Sequence, residues 1–152
     1  MTFDLVVTES EAHRATILEF LKAYNRTQAP PAAVTPLEIL IRDADGTVLG
    51  GLHGASAYDW LIVELVFVPE QLRGQGVGSS LLARAEQAAR ARGCVGVWLD
   101  TFSFQARGFY EQLGYVVFGT IENHPVGGER YFLKKAFDCA STGLPPASTG
   151  PS

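Results

Sequence analysis

Arg73-Gly74-Gln75-Gly76-Val77-Gly78 stands directly before a run with helical apolar spacing. Glycines accept positive φ and let backbone N–H groups come close to a ligand. Where such a loop opens a helix, its unpaired amides and the helix dipole together favour an anion. The stretch therefore predicts a phosphate or pyrophosphate site, with Arg73 adding charge; the alternative is a loop whose glycines only permit a sharp turn. A nucleoside-triphosphate loop ends in Gly-Lys-Ser/Thr, and Val77-Gly78-Ser79 lacks the lysine. A dinucleotide fingerprint fits Gly74-Gln75-Gly76 better, with Asp100 at the end of the next strand as the ribose-binding acid. Against it, Ser79 occupies the third glycine position, and five residues, Pro69 to Arg73, separate the strand from the first glycine. Glu64 is the other residue that stands out. It lies inside the apolar run Trp60 to Val68, where a carboxylate is costly unless it is used or paired.

The elements that must position these groups follow from periodicity. Phe3 to Val7 predicts a short strand, and Thr8 with Glu11 has the spacing of a capping box. Ile17, Leu18, Leu21 and Tyr24 then recur on one helical face. Leu37 to Ile41 and Val48 to His53 predict two strands joined by a tight Asp45-Gly46 turn. Trp60 to Val68 reads as a strand covered on both faces. A helix over Ser79 to Ala91 is stopped by Gly93, a strand follows at Val95 to Leu99, and a short helix at Phe104 to Leu113 is closed by Gly114. Tyr115 to Gly119 and Arg130 to Lys134 form a final strand pair. The strand–loop–helix–strand core prefers a parallel crossover. No internal repeat is visible.

Composition bounds the function. The chain has 152 residues, 47% of them hydrophobic and 18% charged, the balance of a globular protein with one core. A net charge of −4 argues against a general nucleic-acid binder, which needs a basic face. Of the two cysteines, Cys94 opens the apolar run to Leu99 and reads as a buried small side chain, while Cys139 lies in the tail. They supply no ligand cluster, so no metal is expected. Met1-Thr2-Phe3-Asp4 lacks a basic leader pattern, and no apolar run approaches a membrane span, which predicts a cytoplasmic protein without membrane partners. From Asp138 onward the chain is Ser, Thr, Gly, Pro and Ala, a composition expected to be disordered.

Gln71-Leu72-Arg73-Gly74-Gln75-Gly76-Val77-Gly78 resembles the acyl-CoA pyrophosphate signature of the GNAT superfamily of N-acetyltransferases, Gln/Arg-x-x-Gly-x-Gly/Ala. Phe109-Tyr110-Glu111-Gln112-Leu113-Gly114-Tyr115 resembles the same family's Phe-Tyr-x-x-x-Gly-Phe/Tyr segment, in the same order along the chain. The resemblance covers roughly Phe3 to Phe137. It implies an α/β fold with a mixed, mostly antiparallel central sheet flanked by helices, an N-acetyltransferase domain over 1–137 and a tail over 138–152. It also implies acetyl-CoA as cosubstrate and direct ternary-complex transfer to a primary amine of a small molecule or peptide. A homodimer is allowed.

Residue by residue, the resemblance implies that the backbone of Val66, Phe67 and Val68 holds the pantetheine arm and polarises the thioester carbonyl. Arg73, Gly74, Gln75, Gly76, Val77 and Gly78 take the pyrophosphate. Tyr110 matches the acid that protonates the departing thiolate, since a phenol with pKa about 10 can donate to a thiolate whose acid is near about 8.5. Where the family often carries Asn, seven residues before the tyrosine, this chain has Ser103, and either Ser103 or Gln105 is left to bond the arm. An attacking amine must be neutral, so a base is required. Glu64 is the first candidate and Asp100 the second. The acceptor is expected among Tyr24, Asn25 and Arg26, Tyr58-Asp59-Trp60, and Glu122-Asn123-His124-Pro125. Two other readings stay open from the residues: a CoA-binding module without catalysis, and a nicotinamide-dependent oxidoreductase.

Overall fold

Asp43 makes the first tight turn of the sheet. Its Oδ1 accepts from the N–H groups of Asp45 and Thr47, 2.9 Å each, while Gly46 takes φ +83°. That turn joins β1 (Thr35–Arg42) to β2 (Val48–Ala57), and β3 (Trp60–Phe67) returns antiparallel to β2. In the computed structural model, which describes residues 1–138, Met1–Ala32 forms one compact unit and the chain from Ala33 onward another. The expectations for the tail and for Cys139 lie outside the described residues.

The larger unit continues through a 3₁₀ turn (Glu70–Leu72), α2 (Val77–Ala91), β4 (Gly96–Phe102), α3 (Arg107–Gln112), β5 (Val116–Glu122) and β6 (Glu129–Ala136). Among the described residues its six strands run in the order β1-β2-β3-β4-β6-β5, and β3–β4 is the one parallel pair, bridged by α2. The sheet is thus mixed and mostly antiparallel, as the family resemblance implies. Leu61 and Val63 of β3, Val97 and Leu99 of β4 and Leu133 of β6 are buried with Leu81, Leu82, Ala85 and Ala89 of α2. Burial of each large aliphatic side chain contributes about 1.5–3 kcal/mol.

Two polar clasps fix α2. Arg92 donates to the carbonyls of Thr35 (2.9 Å) and Pro36 (2.9 Å) and to Ser56 Oγ (3.1 Å), tying the end of the helix to β1 and β2. Glu86, buried on α2, pairs with Lys135 at 2.7 Å and accepts from the Tyr115 hydroxyl at 3.3 Å. Lys135 also donates to the Leu113 carbonyl at 2.9 Å, so the end of α3 is held by the same group. Burial, then the Glu86 charge, push the Tyr115 phenol well above its usual range.

In the smaller unit, α1 spans Arg14–Gln28. The predicted capping box does not form. Thr8 Oγ1 accepts from Ser10 N and Ser10 Oγ from Ala12 N, which makes two successive turns and delays the helix. Phe3 to Val7 forms no strand; within residues 1–32 there is no second strand to complete a ladder. Two further expectations need correction. The C-terminal half of β3 is not covered on both faces, since Glu64, Leu65 and Phe67 are exposed. The short helix begins at Arg107 rather than Phe104, because the Gln105 side chain folds back on the Phe102 N–H at 2.8 Å and holds a turn there.

Candidate active site

The parallel ladder between β3 and β4 runs from Trp60↔Gly96 to Val63↔Leu99 and then stops. Beyond that point β3 stays paired with β2 through Leu65↔His53, Val66↔Leu52 and Phe67↔Gly51. Among the described residues, its other edge from Glu64 to Phe67 has no ladder partner. The parted strands open a cleft of about 930 Å³ whose lining includes Glu64, Val66, Phe67, Asp100, Gln105 and Tyr110. Close approach of β2 to its neighbours supports this geometry. A Cβ at Gly51 would collide with the Ile39 carbonyl, and one at Gly54 with the Ile62 carbonyl.

The chain leaves β3 for the glycine loop. Gly74 and Gly76 adopt φ +75° and +77°, and a Cβ at either would meet nothing within 4 Å, so backbone conformation rather than space demands glycine there. Gly76 is the N-cap of α2 and no side chain caps the helix. The first-turn amides therefore remain open to an anion. Arg73 donates from Nε to the Val68 carbonyl at 3.0 Å, folding the loop against the strand end. Gln75 turns its amide back to the Gln71 carbonyl at 3.0 Å. Gly78 differs from its neighbours: a Cβ there would stand 3.1 Å from Phe109 Cζ, so this glycine makes room for α3.

Tyr110 on α3 is buried, with its ring edge-on to Phe109 and Tyr115. Burial, and secondarily the Asp100 charge, raise its phenol above the usual value. The hydroxyl thus keeps its proton through the neutral range. Asp100 is bound to Arg130 through Oδ1, at 2.8 Å to Nη2 and 2.9 Å to Nε. Arg130 lies over the rings of Phe102 and Phe132, 5.2 Å to each centroid, and its Nη1 is 3.4 Å from His124 Nε2. Glu64 has different company. Its Oε2 is 3.5 Å from His53 Nδ1, and His53 Nε2 is 3.9 Å from Glu38 Oε1.

The structure brings Glu64, Val66, Phe67, Gln105 and Tyr110 to one cleft and leaves Ser103 out of its lining. The Ser103 hydroxyl accepts from the Glu129 N–H at 3.0 Å and so ties β4 to β6. Tyr58 and Trp60 line a second hollow of about 590 Å³ with Trp98, Phe118 and Phe132. Cys94 is buried, and burial raises its thiol, as befits a core side chain. His53, Glu38 and Arg130 carry no signal of their own in the sequence; strand register puts His53 beside Glu38 and Glu64, and Arg130 beside Asp100.

The model of the acetyltransferase (GNAT) family matches residues 7–115. An acetyltransferase of Agrobacterium fabrum (strain C58), Atu2258, is 41% identical over 131 residues, covering 86% of this chain and 95% of the relative. The blasticidin-S acetyltransferase of Streptomyces morookaense is 40% identical over 119 residues, covering 76% and 86%. The crystal structure of an acetyltransferase from Bacillus cereus superposes with a TM-score of 0.80 at 28% identity, over 88% of this chain and 98% of that one. An aminoglycoside 6'-N-acetyltransferase solved with coenzyme A shares the fold, with a TM-score of 0.59 at 13% identity over 87% and 97%. The chain belongs to the GNAT family and is an acetyltransferase. The oxidoreductase reading falls with that assignment.

Proposed function

We propose that the protein transfers an acetyl group from acetyl-CoA to a primary amine of a small molecule or peptide, directly within a ternary complex. The parting of β3 from β4 carries this reading, because it sets Glu64 and Tyr110 in one cleft beside an unpaired strand edge. The Val66-Phe67-Val68 backbone would take the pantetheine as a pseudo-strand, and the open amides of the α2 N-terminus and Arg73 the pyrophosphate. Gln105 lines the cleft and Ser103 does not, so Gln105 is the better side chain to bond the arm.

Glu64 removes a proton from the acceptor ammonium. The freed amine attacks the thioester carbon, and a backbone N–H of the open edge holds the negative charge that develops on the carbonyl oxygen. The C–S bond then breaks, the nitrogen gives its remaining extra proton to water, and the Tyr110 hydroxyl donates to the departing thiolate. Water restores the phenol.

The test is acetyl-CoA titration by calorimetry, followed by thiol release with an amine panel. Blasticidin S joins alkyl diamines and a lysine-containing peptide in that panel, because a relative 40% identical is a blasticidin-S acetyltransferase. Thiol release matched by one acetylated amine in the mass spectrum is expected. Binding of acetyl-CoA with no release above the amine-free rate would overturn the transfer reading in favour of a binding module.

A further inference from the structure

Three adjacent strands each place one proton-carrying side chain on the same side of the sheet at the mouth of the cleft. Glu38 of β1 is directly paired in register with His53 of β2. Between His53 and Gly54 the β2–β3 register shifts, so that Leu65 pairs with His53 and Val63 with Gly54. Glu64 therefore falls at the irregularity, and its carboxylate reaches the His53 ring. Without that bulge the alternation of side chains would separate the two. The side chains of Glu38, His53 and Glu64 are 62%, 41% and 52% exposed, which gives the row a path to water.

We infer that His53 is a proton-relay residue, carrying the proton that Glu64 takes from the acceptor amine outward to Glu38 and solvent. This rests on the proposed role of Glu64. The chemistry needs such a group, because a carboxylate that has accepted a proton must lose it before the next turnover. Imidazole is the side chain suited to accept and release a proton near neutrality. With its hydrogen on Nε2, toward Glu38, His53 presents the Nδ1 lone pair to Glu64. Transfer from the Glu64 carboxyl to Nδ1 makes an imidazolium and regenerates the carboxylate. Release of the Nε2 proton to water beside the Glu38 carboxylate, 3.9 Å away, leaves a neutral ring, and exchange with water restores the first tautomer. The charged groups that face the ring from its neighbouring strands are Glu38 and Glu64. Asp100 and Arg130, which line the same cleft, are bound to each other.

The experiment has a kinetic arm and a spectroscopic arm, both on the full chain. With the panel amine that turns over fastest, His53→Gln should lower kcat about ten-fold near neutral pH, less than the ~10²–10⁴-fold of a group touching the reacting atoms. The KM for acetyl-CoA should stay within about twofold, since the relay lies downstream of substrate binding. The deficit should narrow as pH rises. Added imidazole should restore His53→Ala in proportion to its concentration and leave Glu64→Gln unrescued. In ring-nitrogen NMR, Glu64→Gln and Glu38→Gln should each move the His53 resonances while those of His13 and His124 stay. A His53→Gln enzyme within twofold of an active wild type, a His53→Ala loss that imidazole does not restore, or His53 resonances unmoved by both substitutions would overturn the relay. If His53 fails while Glu64→Gln is impaired, the relay alone is wrong. If Glu64→Gln matches wild type, the base reading itself has failed.

Discussion

Glu64 on β3 and Asp100 on β4 both line the cleft, and they keep different company. Asp100 is fixed by two contacts from Arg130, and its side chain is 25% exposed. Glu64 is about half exposed and its neighbour is an imidazole, at a looser 3.5 Å. A guanidinium offers only donors and gives up no proton, so Asp100 meets it purely as an acceptor. An imidazole can share a proton. Two acids of similar intrinsic strength are therefore suited to different work: Asp100 ties the end of β4 to β6 through Arg130, and Glu64 is the one left for the proton exchange of the proposed function.

Substitutions can break or sharpen that contrast. The largest loss is expected for Glu64→Gln, a fall in kcat of about 10³-fold, within the range of a positioned acid or base. Steady-state rates with melting temperature unchanged would place it in the chemistry; a pH profile overlaying wild type would make Glu64 structural. Tyr110→Phe keeps the ring packing and removes the hydroxyl. Its kcat should fall about 10²-fold, the lower end of that range, because a thiolate leaves fairly well unaided. Turnover within about twofold of wild type would give the thiolate's proton to water.

Asp100→Asn should do the reverse of Glu64→Gln. Activity should fall less than about ten-fold, while stability drops by about 1–2 kcal/mol, because Arg130 loses its partner in a partly buried place. Urea denaturation beside kinetics separates the two effects, and a rate loss as deep as that of Glu64→Gln would erase the distinction between the acids. The smallest effect belongs to Tyr115. Its raised phenol, like that of Tyr110, keeps a proton in the folded chain that the unfolded chain loses near pH about 10. That contribution is whole below pH about 10 and is lost as pH climbs through the raised values. Tyr115→Phe should be less stable by about 1 kcal/mol at pH about 8 for the missing Glu86 bond, and the gap should close in strongly alkaline buffer. A constant gap would mean that packing alone is at stake.

The loop end of the candidate site was legible because its residues are consecutive: Arg73 to Gly78 carry their conformational demand with them. Tyr110 was legible for the same reason, in a short segment ending at Gly114. The other end was not. His53 meets Glu64 only because the ladder shifts between His53 and Gly54, and periodicity of either strand alone contains no such shift. Ser103 and Gln105 could not be told apart from the sequence, because the partner of Ser103, the Glu129 N–H, is 26 residues away. The Phe3 to Val7 strand shows the same limit in the fold: apolar alternation is local, and the ladder that would use it is not.

Gly78 separates two things usually assumed to improve together. It lies outside the left-handed region, so alanine would fit the backbone and favour the helix by up to about 1 kcal/mol, less in the first turn. Yet the added methyl would press on Phe109, the residue before Tyr110, from 3.1 Å. The clearance between α2 and Phe109, the neighbour of the proposed proton donor, is therefore set by a single hydrogen atom. A library screened for heat resistance would accept Gly78→Ala, and one screened for turnover would reject it, so this position separates selection for robustness from selection for alignment.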